Sequence, residues 1–209
     1  MRDGSCFIVG AGAFTSRGMH VKKGDLLIAA DGGYEALAKR GTKPHLLLGD
    51  MDSISHIPKN VPRLVFPAEK DDTDTSLALK LAYARGYRRF ILYGISGSRP
   101  DHFYAAMQLM ASYSKRGARI SAYLPEGSIH LLHQGTLIID TLPEGTPISV
   151  FCPDGTATGV SIDGLKYPLR GATLTNLSPL GVSNQAMGKK ALISVKTGTL
   201  MIFIMDGEI

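Results

Sequence analysis

The sequence predicts an α/β N-terminal domain with a mostly parallel, doubly wound sheet, followed by a C-terminal all-β sandwich or barrel. In the first half, short continuous apolar runs alternate with segments of helical period, a pattern typical of parallel strands covered by helices on both faces. After Pro125-Glu126-Gly127, Asp, Gly and Pro turns separate the apolar runs, and no helical period appears. We therefore predict two domains, residues 1–125 and residues 126–209.

The first half reads as a regular succession of strands and helices. Strands are expected at residues 6–9, 26–30, 46–48, 64–66, 90–94 and 119–124. Helices are expected through Tyr34, Leu37 and Ala38, through Leu77, Leu81 and Ala84 before Gly86, and through Phe103, Met107 and Met110. In the second half, the β-like runs are residues 129–132, 137–139, 148–151, 159–162, 172–174, 191–195 and 200–205.

Composition places the chain among ordinary globular proteins. Of its 209 residues, 44% are hydrophobic, and no apolar run approaches the length that spans a bilayer. The apolar stretch from Cys6 to Phe14 is expected to be a strand followed by a glycine loop. It is not expected to be a signal peptide, because Asp3 precedes it and glycines interrupt it. Cys6 and Cys152 lie far apart without metal-ligand spacing, which favours buried thiols in a cytoplasmic protein.

The net charge of +5 is consistent with an anionic ligand but does not identify one. The chain has no basic run and no interleaving of basic and aromatic residues. We therefore expect neither nucleic acid nor membrane as a partner.

Acidic residues gather where the predicted strands end. Asp50 and Asp52 follow the strand at 46–48, and in extended backbone such alternate side chains point to the same side. Two convergent carboxylates suit Mg²⁺, which proteins hold with one or two carboxylates plus substrate phosphates. The alternative is that Gly49-Asp50-Met51-Asp52-Ser53 is only a solvated polar turn.

Other polar residues follow neighbouring strands, and the ligands of parallel sheets bind beyond the carboxyl ends of the strands. The acidic ones are Asp31, Asp71, Asp74 and Asp101. Lys70 and Arg99 lie in the same loops and can neutralise phosphate oxygens. This set suits Mg²⁺-dependent transfer of a phosphoryl or pyrophosphoryl group.

Several of these residues also have structural interpretations. Asp71 or Asp72 is placed to cap the helix that follows, and Asp74 falls in its first turn, where a carboxylate is favourable in any case. Asp101 has the same ambiguity before the next helix. His102, near that helix N-terminus, either exchanges a proton, donates to a phosphate or makes a structural hydrogen bond.

The motifs that carry this chemistry resemble those of the thiamine pyrophosphokinase family. The resemblance rests on Asp31-Gly32-Gly33, Gly49-Asp50-Met51-Asp52-Ser53, Lys70-Asp71-Asp72-Thr73-Asp74, Arg99-Pro100-Asp101-His102, Gly164-Leu165-Lys166-Tyr167-Pro168-Leu169 and Gly181-Val182-Ser183-Asn184. It implies an α/β catalytic domain and a β-sandwich, working as a homodimer with the site between subunits. It also implies that the hydroxyethyl oxygen of thiamine attacks the β-phosphorus of ATP, giving thiamine diphosphate and AMP.

The resemblance also implies roles for individual residues. Mg²⁺ and the triphosphate would be served by Asp50, Asp52, Asp71 and Asp74. The nucleotide would be bound by Asp31, Gly32, Gly33, Lys70, Thr73, Arg99 and His102, with Asp101 beside them. Thiamine would be bound by Tyr167, Ser183 and Asn184, the last two from the partner subunit.

The chain departs from some relatives in having no Trp to stack on thiamine. Phe203, or an aliphatic residue near Leu200, would have to serve instead. From the residues alone, Ser183 and Asn184 are simply turn formers, so their role depends on the resemblance.

Three other functions are compatible with parts of the sequence. Gly10-Ala11-Gly12 after a strand, with Asp31 further on, imitates the fingerprint of a nicotinamide-dependent dehydrogenase, although Thr15 occupies the place of the third glycine. A pyrophosphokinase for another alcohol, such as a hydroxymethylpterin, would keep the same chemistry. A non-enzymatic ligand-binding module would not need the carboxylates at positions 50 and 52.

Overall fold

The computed structural model describes residues 4–52, 54, 58–67, 69, 71–97 and 99–206. The chain divides into two compact units. The N-terminal unit comprises Met1–Leu109 and Ile120–Pro125. The C-terminal unit comprises Met110–Arg119 and Glu126–Ile209.

The N-terminal unit is built on a mostly parallel sheet, as the sequence predicts. Its strands are β1 (Cys6–Val9), β2 (Leu26–Ala30), β3 (Leu46–Gly49), β4 (Arg63–Val65), β5 (Arg89–Tyr93) and β6 (Arg119–Leu124). Their order in the sheet is β6-β5-β1-β2-β3-β4, and every pair from β5 to β4 is parallel. The carboxyl ends of β5, β1, β2 and β3 therefore lie side by side along one edge.

The inner strands β1, β2 and β3 are continuous apolar runs because both of their faces are buried, whereas the edge strand β4 is exposed. Ile8, Leu47, Leu48 and Leu92 are fully buried. Helices α1 (Gly33–Ala38), α2 (Asp74–Ala84) and α3 (Pro100–Lys115) connect or follow the strands. Burial of the strands on both faces accounts for the absence of the apolar–polar alternation that a half-exposed sheet would require.

The helix boundaries agree with the expected signals except at two N-termini. Helix α2 is capped by Thr73, whose Oγ1 accepts a hydrogen bond from the Ser76 N–H at 3.2 Å. The prediction that Asp71 or Asp72 caps it is therefore wrong. Helix α3 begins at Pro100, earlier than expected, since proline fits the first helical turn.

The C-terminal unit contains the remaining strands, all antiparallel in their pairing. They are β7 (Gly127–Ile139), β8 (Pro147–Phe151), β9 (Thr156–Asp163), β10 (Leu169–Thr175), β11 (Asn184–Gln185) and β12 (Ala191–Met205). β12 pairs with β7 along one edge, and along its other edge it pairs with β9 and then with β8. Ile148, Val150, Ile193 and Ile202 belong to the buried cluster of this unit.

Two predicted interruptions in this unit are absent. The runs at 129–132 and 137–139 form the single strand β7, and those at 191–195 and 200–205 form the single strand β12. The polar and glycine residues between them make a register shift, with positive φ at Gln134, Gly135 and Gly198. Glycines that look like turns in the sequence are thus bulges within continuous strands.

None of the helices in the described part of the chain has the length and apolar character needed to cross a membrane.

Candidate active site

Three carboxylates converge at the carboxyl edge of the parallel sheet. Asp31, Asp50 and Asp52 each offer an oxygen atom, and these atoms lie within 4.8 Å of one another. Asp31 follows β2 and Asp50 follows β3, which are neighbouring parallel strands whose register pairs Ala30 with Leu48. Parallel pairing thus brings two loops from distant parts of the sequence to one point, as expected.

The loop after β3 bends sharply between its two aspartates. Met51 has a φ of 68°, and the Asp52 N–H donates to Asp50 Oδ1 at 3.3 Å. Extended backbone predicts the convergence of Asp50 and Asp52, but a turn produces it. The Met51 side chain is only 8% exposed and packs in the apolar cluster of the N-terminal unit, which accounts for the unusual backbone.

Gly49 is required by the closeness of Asp31. Its φ is +149°, and a Cβ placed on it would lie 3.0 Å from Asp31 Cβ. Any side chain at position 49 would therefore displace Asp31 by a few tenths of an ångström, in addition to straining the backbone at this positive φ. The glycine before Asp50 keeps the cluster compact.

The donor set fits a hard divalent cation. Asp31 Oδ1 is buried and has no hydrogen-bond partner among the described residues. Three carboxylates so close together repel one another, and a buried oxygen without a partner is costly. Both costs are relieved by a cation such as Mg²⁺, which prefers oxygen ligands.

Two adjoining cavities form a cleft beside this cluster. One, of about 430 Å³, is lined by residues that include Asp31, Asp50, Asp71, Asp74 and His102. The other, of about 350 Å³, lies toward β5 and is lined by residues that include Asp31, Gly94, Ser96, Arg99 and His102. Asp71 and Asp74 thus line the same cleft as Asp31 and Asp50 without joining the 4.8 Å group of three carboxylates.

The segment before α2 supplies polar groups to the cleft. Asp72 accepts hydrogen bonds from Lys80 Nζ at 2.6 and 2.7 Å and from the Ser76 hydroxyl at 2.9 Å. These bonds, the one from Lys80 first, lower the pKa of Asp72. Asp72 is therefore engaged with its own helix, and the exposed Asp71 stands beside it.

Arg99 and Asp101 form an exposed two-point ion pair at the start of α3. Arg99 Nε donates to Asp101 Oδ1 at 3.0 Å, and Nη2 donates to Oδ2 at 2.7 Å. This bonding lowers the pKa of Asp101 well below its ordinary value and raises that of Arg99. His102 follows in the first turn and lines both cavities. The predicted nucleotide-binding residue Lys70 lies outside the described residues.

The glycine loop after β1 is bound to the loop after β5. The N–H groups of Gly10, Gly12 and Ala13 donate to the carbonyl oxygens of Tyr93, Gly94 and Ser96 at 2.8, 2.8 and 2.6 Å. No helix occurs between β1 and β2, where every residue is described. A dinucleotide fingerprint needs free N–H groups and a helix after the loop, so that interpretation of Gly10-Ala11-Gly12 is wrong.

The predicted thiamine-binding residues lie in the C-terminal unit and differ in their surroundings. Asn184 is only 4% exposed; its Nδ2 donates to the Tyr167 carbonyl oxygen at 2.7 Å, and its Oδ1 accepts from the Tyr167 N–H at 2.9 Å. Tyr167 and Ser183 are exposed. Phe203 packs edge-on against Phe151 with ring centroids 5.7 Å apart. The buried amide of Asn184 thus holds the backbone of Tyr167 in place.

Two residues of the cleft are not singled out by the sequence. Ser96 and Thr75 line the 350 Å³ cavity. Asp31, which the resemblance assigns to the nucleotide, also belongs to the carboxylate cluster. Ser96 follows β5 within Gly94-Ile95-Ser96-Gly97, so its position after a buried parallel strand is the available signal.

Comparison with known proteins gives matches over both units. The family model described as "Thiamin pyrophosphokinase, catalytic domain" matches residues 19–122. The model described as "Thiamin pyrophosphokinase, vitamin B1 binding domain" matches residues 136–202. The chain is 31% identical over 183 residues to the thiamine pyrophosphokinase of Bacillus subtilis (strain 168), and the match covers 85% of this chain and 86% of that relative.

Solved structures share the fold. A crystal structure of thiamine pyrophosphokinase from Bacillus subtilis has a TM-score of 0.87 at 24% identity, covering 98% of this chain and 100% of that one. A thiamin pyrophosphokinase from Geobacillus thermodenitrificans has a TM-score of 0.82 at 24% identity, covering 98% of both chains. That from Candida albicans has a TM-score of 0.77 at 14% identity, covering 97% of this chain and 90% of that one.

Proposed function

The chain belongs to the thiamin pyrophosphokinase family, and we propose that the cleft at the carboxyl edge of its parallel sheet transfers a pyrophosphoryl group from ATP to thiamine. The observation that carries this proposal is the convergence of Asp31, Asp50 and Asp52 beside a cleft large enough for a nucleotide. A dehydrogenase would leave these three carboxylates without a role.

Asp31, Asp50 and Asp52 would hold Mg²⁺, with Asp71 and Asp74 facing the same cleft. When bound, Mg²⁺ neutralises the charge of the polyphosphate and makes the β-phosphorus easier to attack. The carboxylates are fixed by β2 and β3, so they are in position before the nucleotide arrives.

In the proposed reaction, the hydroxyethyl oxygen of thiamine forms a bond to the β-phosphorus of ATP. The bond between that phosphorus and the oxygen of the α-phosphate breaks, AMP leaves, and the hydroxyl proton is released. Arg99 and His102 border the cleft and offer hydrogen-bond donors to phosphate oxygens at the N-terminus of α3. We place the attacking hydroxyl beside Asp71 and Asp74, which line the 430 Å³ cavity.

For thiamine, we propose a site on the C-terminal unit that includes Tyr167 and Ser183 and is stabilised by Asn184. Their exposure supports a binding surface, and Asn184 supports it by fixing Tyr167. We propose a homodimer in which a partner subunit supplies this surface. The same unit exposes several apolar side chains, which a dimer interface would cover. They are Leu177 (90%), Leu180 (58%) and Val182 (49%).

We further propose that residues 1–125 form a doubly wound catalytic domain and residues 126–209 a β-sandwich for thiamine binding and dimerisation. A cytoplasmic location is also proposed. It is supported by Cys6 and Cys152, which are buried thiols.

The proposal is tested by incubating the protein with thiamine, ATP and Mg²⁺ and separating the products. We expect thiamine diphosphate and AMP in equal amounts, and neither product after chelation of Mg²⁺. A parallel reaction with a hydroxymethylpterin serves as the comparison. AMP formed only with that alcohol would contradict the choice of thiamine, and ADP in place of AMP would contradict pyrophosphoryl transfer.

A further inference from the structure

The hydroxyl of Ser96 is a buried polar group that the structure leaves unused. Ser96 is 8% exposed, and its Oγ has no hydrogen-bond partner among the described residues. Buried hydroxyl groups nearly always have a partner, because removal from water without one is unfavourable. Ser96 also lines the 350 Å³ cavity. A ligand in that cavity would supply the missing partner.

The backbone around Ser96 is held rigidly. Its carbonyl oxygen accepts a hydrogen bond from the Ala13 N–H at 2.6 Å. Gly94, two residues earlier, packs against Gly10 with no room for a side chain on either residue. A Cβ on Gly12 would come within 2.1 Å of the Ser96 carbonyl oxygen. Since the main chain is fixed by its neighbours, the hydroxyl cannot find another partner by moving the loop.

The position of Ser96 along the sheet indicates which part of a nucleotide it meets. Ser96 follows β5 and Asp31 follows β2, and these two strands flank β1. Adjacent strands are about 4.8 Å apart, so the two strand ends are separated by about 10 Å. A nucleotide whose terminal phosphates lie at the carboxylate cluster extends its ribose and base over such a distance. Small residues, among them Ala11, Gly94 and Ala106, line the cavity on that side.

We propose that the Ser96 hydroxyl hydrogen-bonds the nucleoside end of the bound nucleotide, either its ribose or its base. This inference rests on the proposed function, since it takes the ligand of the cleft to be a nucleoside triphosphate. Ser96 binds and orients the donor substrate. It takes no part in the bond changes at the β-phosphorus.

The test compares Ser96→Ala with Ser128→Ala. Ser128 is a buried serine of the C-terminal unit whose hydroxyl already has a partner, His130 Nε2 at 3.0 Å. Binding of AMP, ATP and inorganic triphosphate, each with Mg²⁺, is measured by calorimetry, and melting temperatures are measured without ligand. The KM for thiamine is measured for each variant and for the unaltered chain. Product formation by the unaltered chain is measured as well.

For Ser96→Ala we expect affinity for AMP and ATP to fall about three- to ten-fold, the usual effect of one hydrogen bond. Affinity for inorganic triphosphate and the KM for thiamine should not change. The melting temperature should stay the same or rise, since an unpartnered hydroxyl is removed. Ser128→Ala should show the reverse pattern, with a lower melting temperature and unchanged nucleotide binding.

Unchanged AMP affinity in Ser96→Ala would overturn the inference. A change confined to the affinity for inorganic triphosphate, or to the KM for thiamine, would overturn it as well. A lower melting temperature without ligand would also overturn it, because it would reveal a structural partner. If the unaltered chain binds nucleotide but forms no thiamine diphosphate, the proposed function fails. The inference on Ser96 is then judged by the AMP measurement alone.

Discussion

The Asp31 N–H donates to the Leu48 carbonyl oxygen at 2.7 Å, across the last rung of the parallel pair β2–β3. This bond fixes the position of Asp31 along the strand direction relative to the end of β3. Asp50 follows two residues after Leu48, so its carboxylate reaches the same point. The position of the carboxylate cluster is therefore decided by strand register.

Asp50→Asn should abolish most activity without harming the fold. The amide keeps the size of the side chain but removes one metal-binding charge, so we expect kcat/KM to fall by about 100-fold or more. Without Mg²⁺ the melting temperature should stay the same or rise, because repulsion within the cluster is reduced. AMP release and thermal unfolding, each with and without Mg²⁺, provide the measurements.

Asp140→Asn is the matched control for this substitution. Asp140 has an 88% exposed side chain that lies 3.5 Å from Lys190 in the C-terminal unit, and its loss should change neither measurement appreciably. A large fall in the stability of the Asp50 variant without metal would show that the carboxylate has a structural role instead.

Gly49→Ala should disturb the metal site as well as the backbone. The added methyl group meets Asp31 Cβ at 3.0 Å, so Asp31 must move, and we expect weaker Mg²⁺ binding together with a loss of about 1–3 kcal/mol in unfolding free energy. Gly41→Ala is the comparison, since Gly41 also has a positive φ, +65°, but nothing lies within 4 Å of the new Cβ. Urea unfolding and Mg²⁺ titration should show that only the Gly49 variant binds the metal poorly. Equal metal affinity in the two variants would contradict the explanation.

Arg99→Gln should raise the pKa of Asp101 toward its ordinary value, because the largest cause of the lowered pKa is removed. The unaltered carboxyl has a lowered pKa because Arg99 hydrogen-bonds it, so the ion pair favours the folded state above the ordinary pKa and loses this effect as the pH falls through the folded pKa. Carboxyl ¹³C shifts followed between pH 1 and 6 report the change. Asp72, whose pKa is lowered by Lys80 and Ser76, is an internal control that should not respond. If Asp101 titrates identically in both proteins, the ion pair does not persist in solution.

Asn184→Ala should destabilise the C-terminal unit. The substitution removes a buried amide that bonds both backbone groups of Tyr167, and we expect a loss of about 2–3 kcal/mol in unfolding free energy. Ser183→Ala is the contrast, because Ser183 is exposed and is bonded through its backbone N–H to Ser149 Oγ at 3.1 Å. We expect this variant to keep its stability and to raise the KM for thiamine. Chemical unfolding and steady-state kinetics distinguish the two roles, and a stable Asn184→Ala protein would contradict the first.

The sequence was sufficient for the parallel sheet and for the edge at which Asp31 and Asp50 converge. Buried runs such as 46–48 and 26–30 predicted β3 and β2, and the residues after them predicted the cluster. It was not sufficient where conformation depends on distant packing. Met51 turns the backbone because its side chain enters the core, and the bulges of β7 and β12 depend on pairing between segments about sixty residues apart.

Side-chain partners were the least predictable feature. Asp72 accepts a hydrogen bond from Lys80, eight residues further along the chain. Asn184 is hydrogen-bonded to the backbone of Tyr167. Neither pairing has a signature in the motif where the residue occurs. Ser96 is not singled out by the sequence, because a serine within Gly94-Ile95-Ser96-Gly97 resembles a turn residue until its burial is known.

Met51 joins the two aspartates on either side of it to the hydrophobic interior of the N-terminal unit. The entropy lost in ordering this loop is therefore lost during folding and not during capture of the ion. The proposed Mg²⁺ ion would therefore meet preorganised ligands, which strengthens binding without any additional contact. The same coupling predicts that local opening of this core would release a bound ion, so amide hydrogen exchange at Asp50 and Asp52 should slow when Mg²⁺ is added.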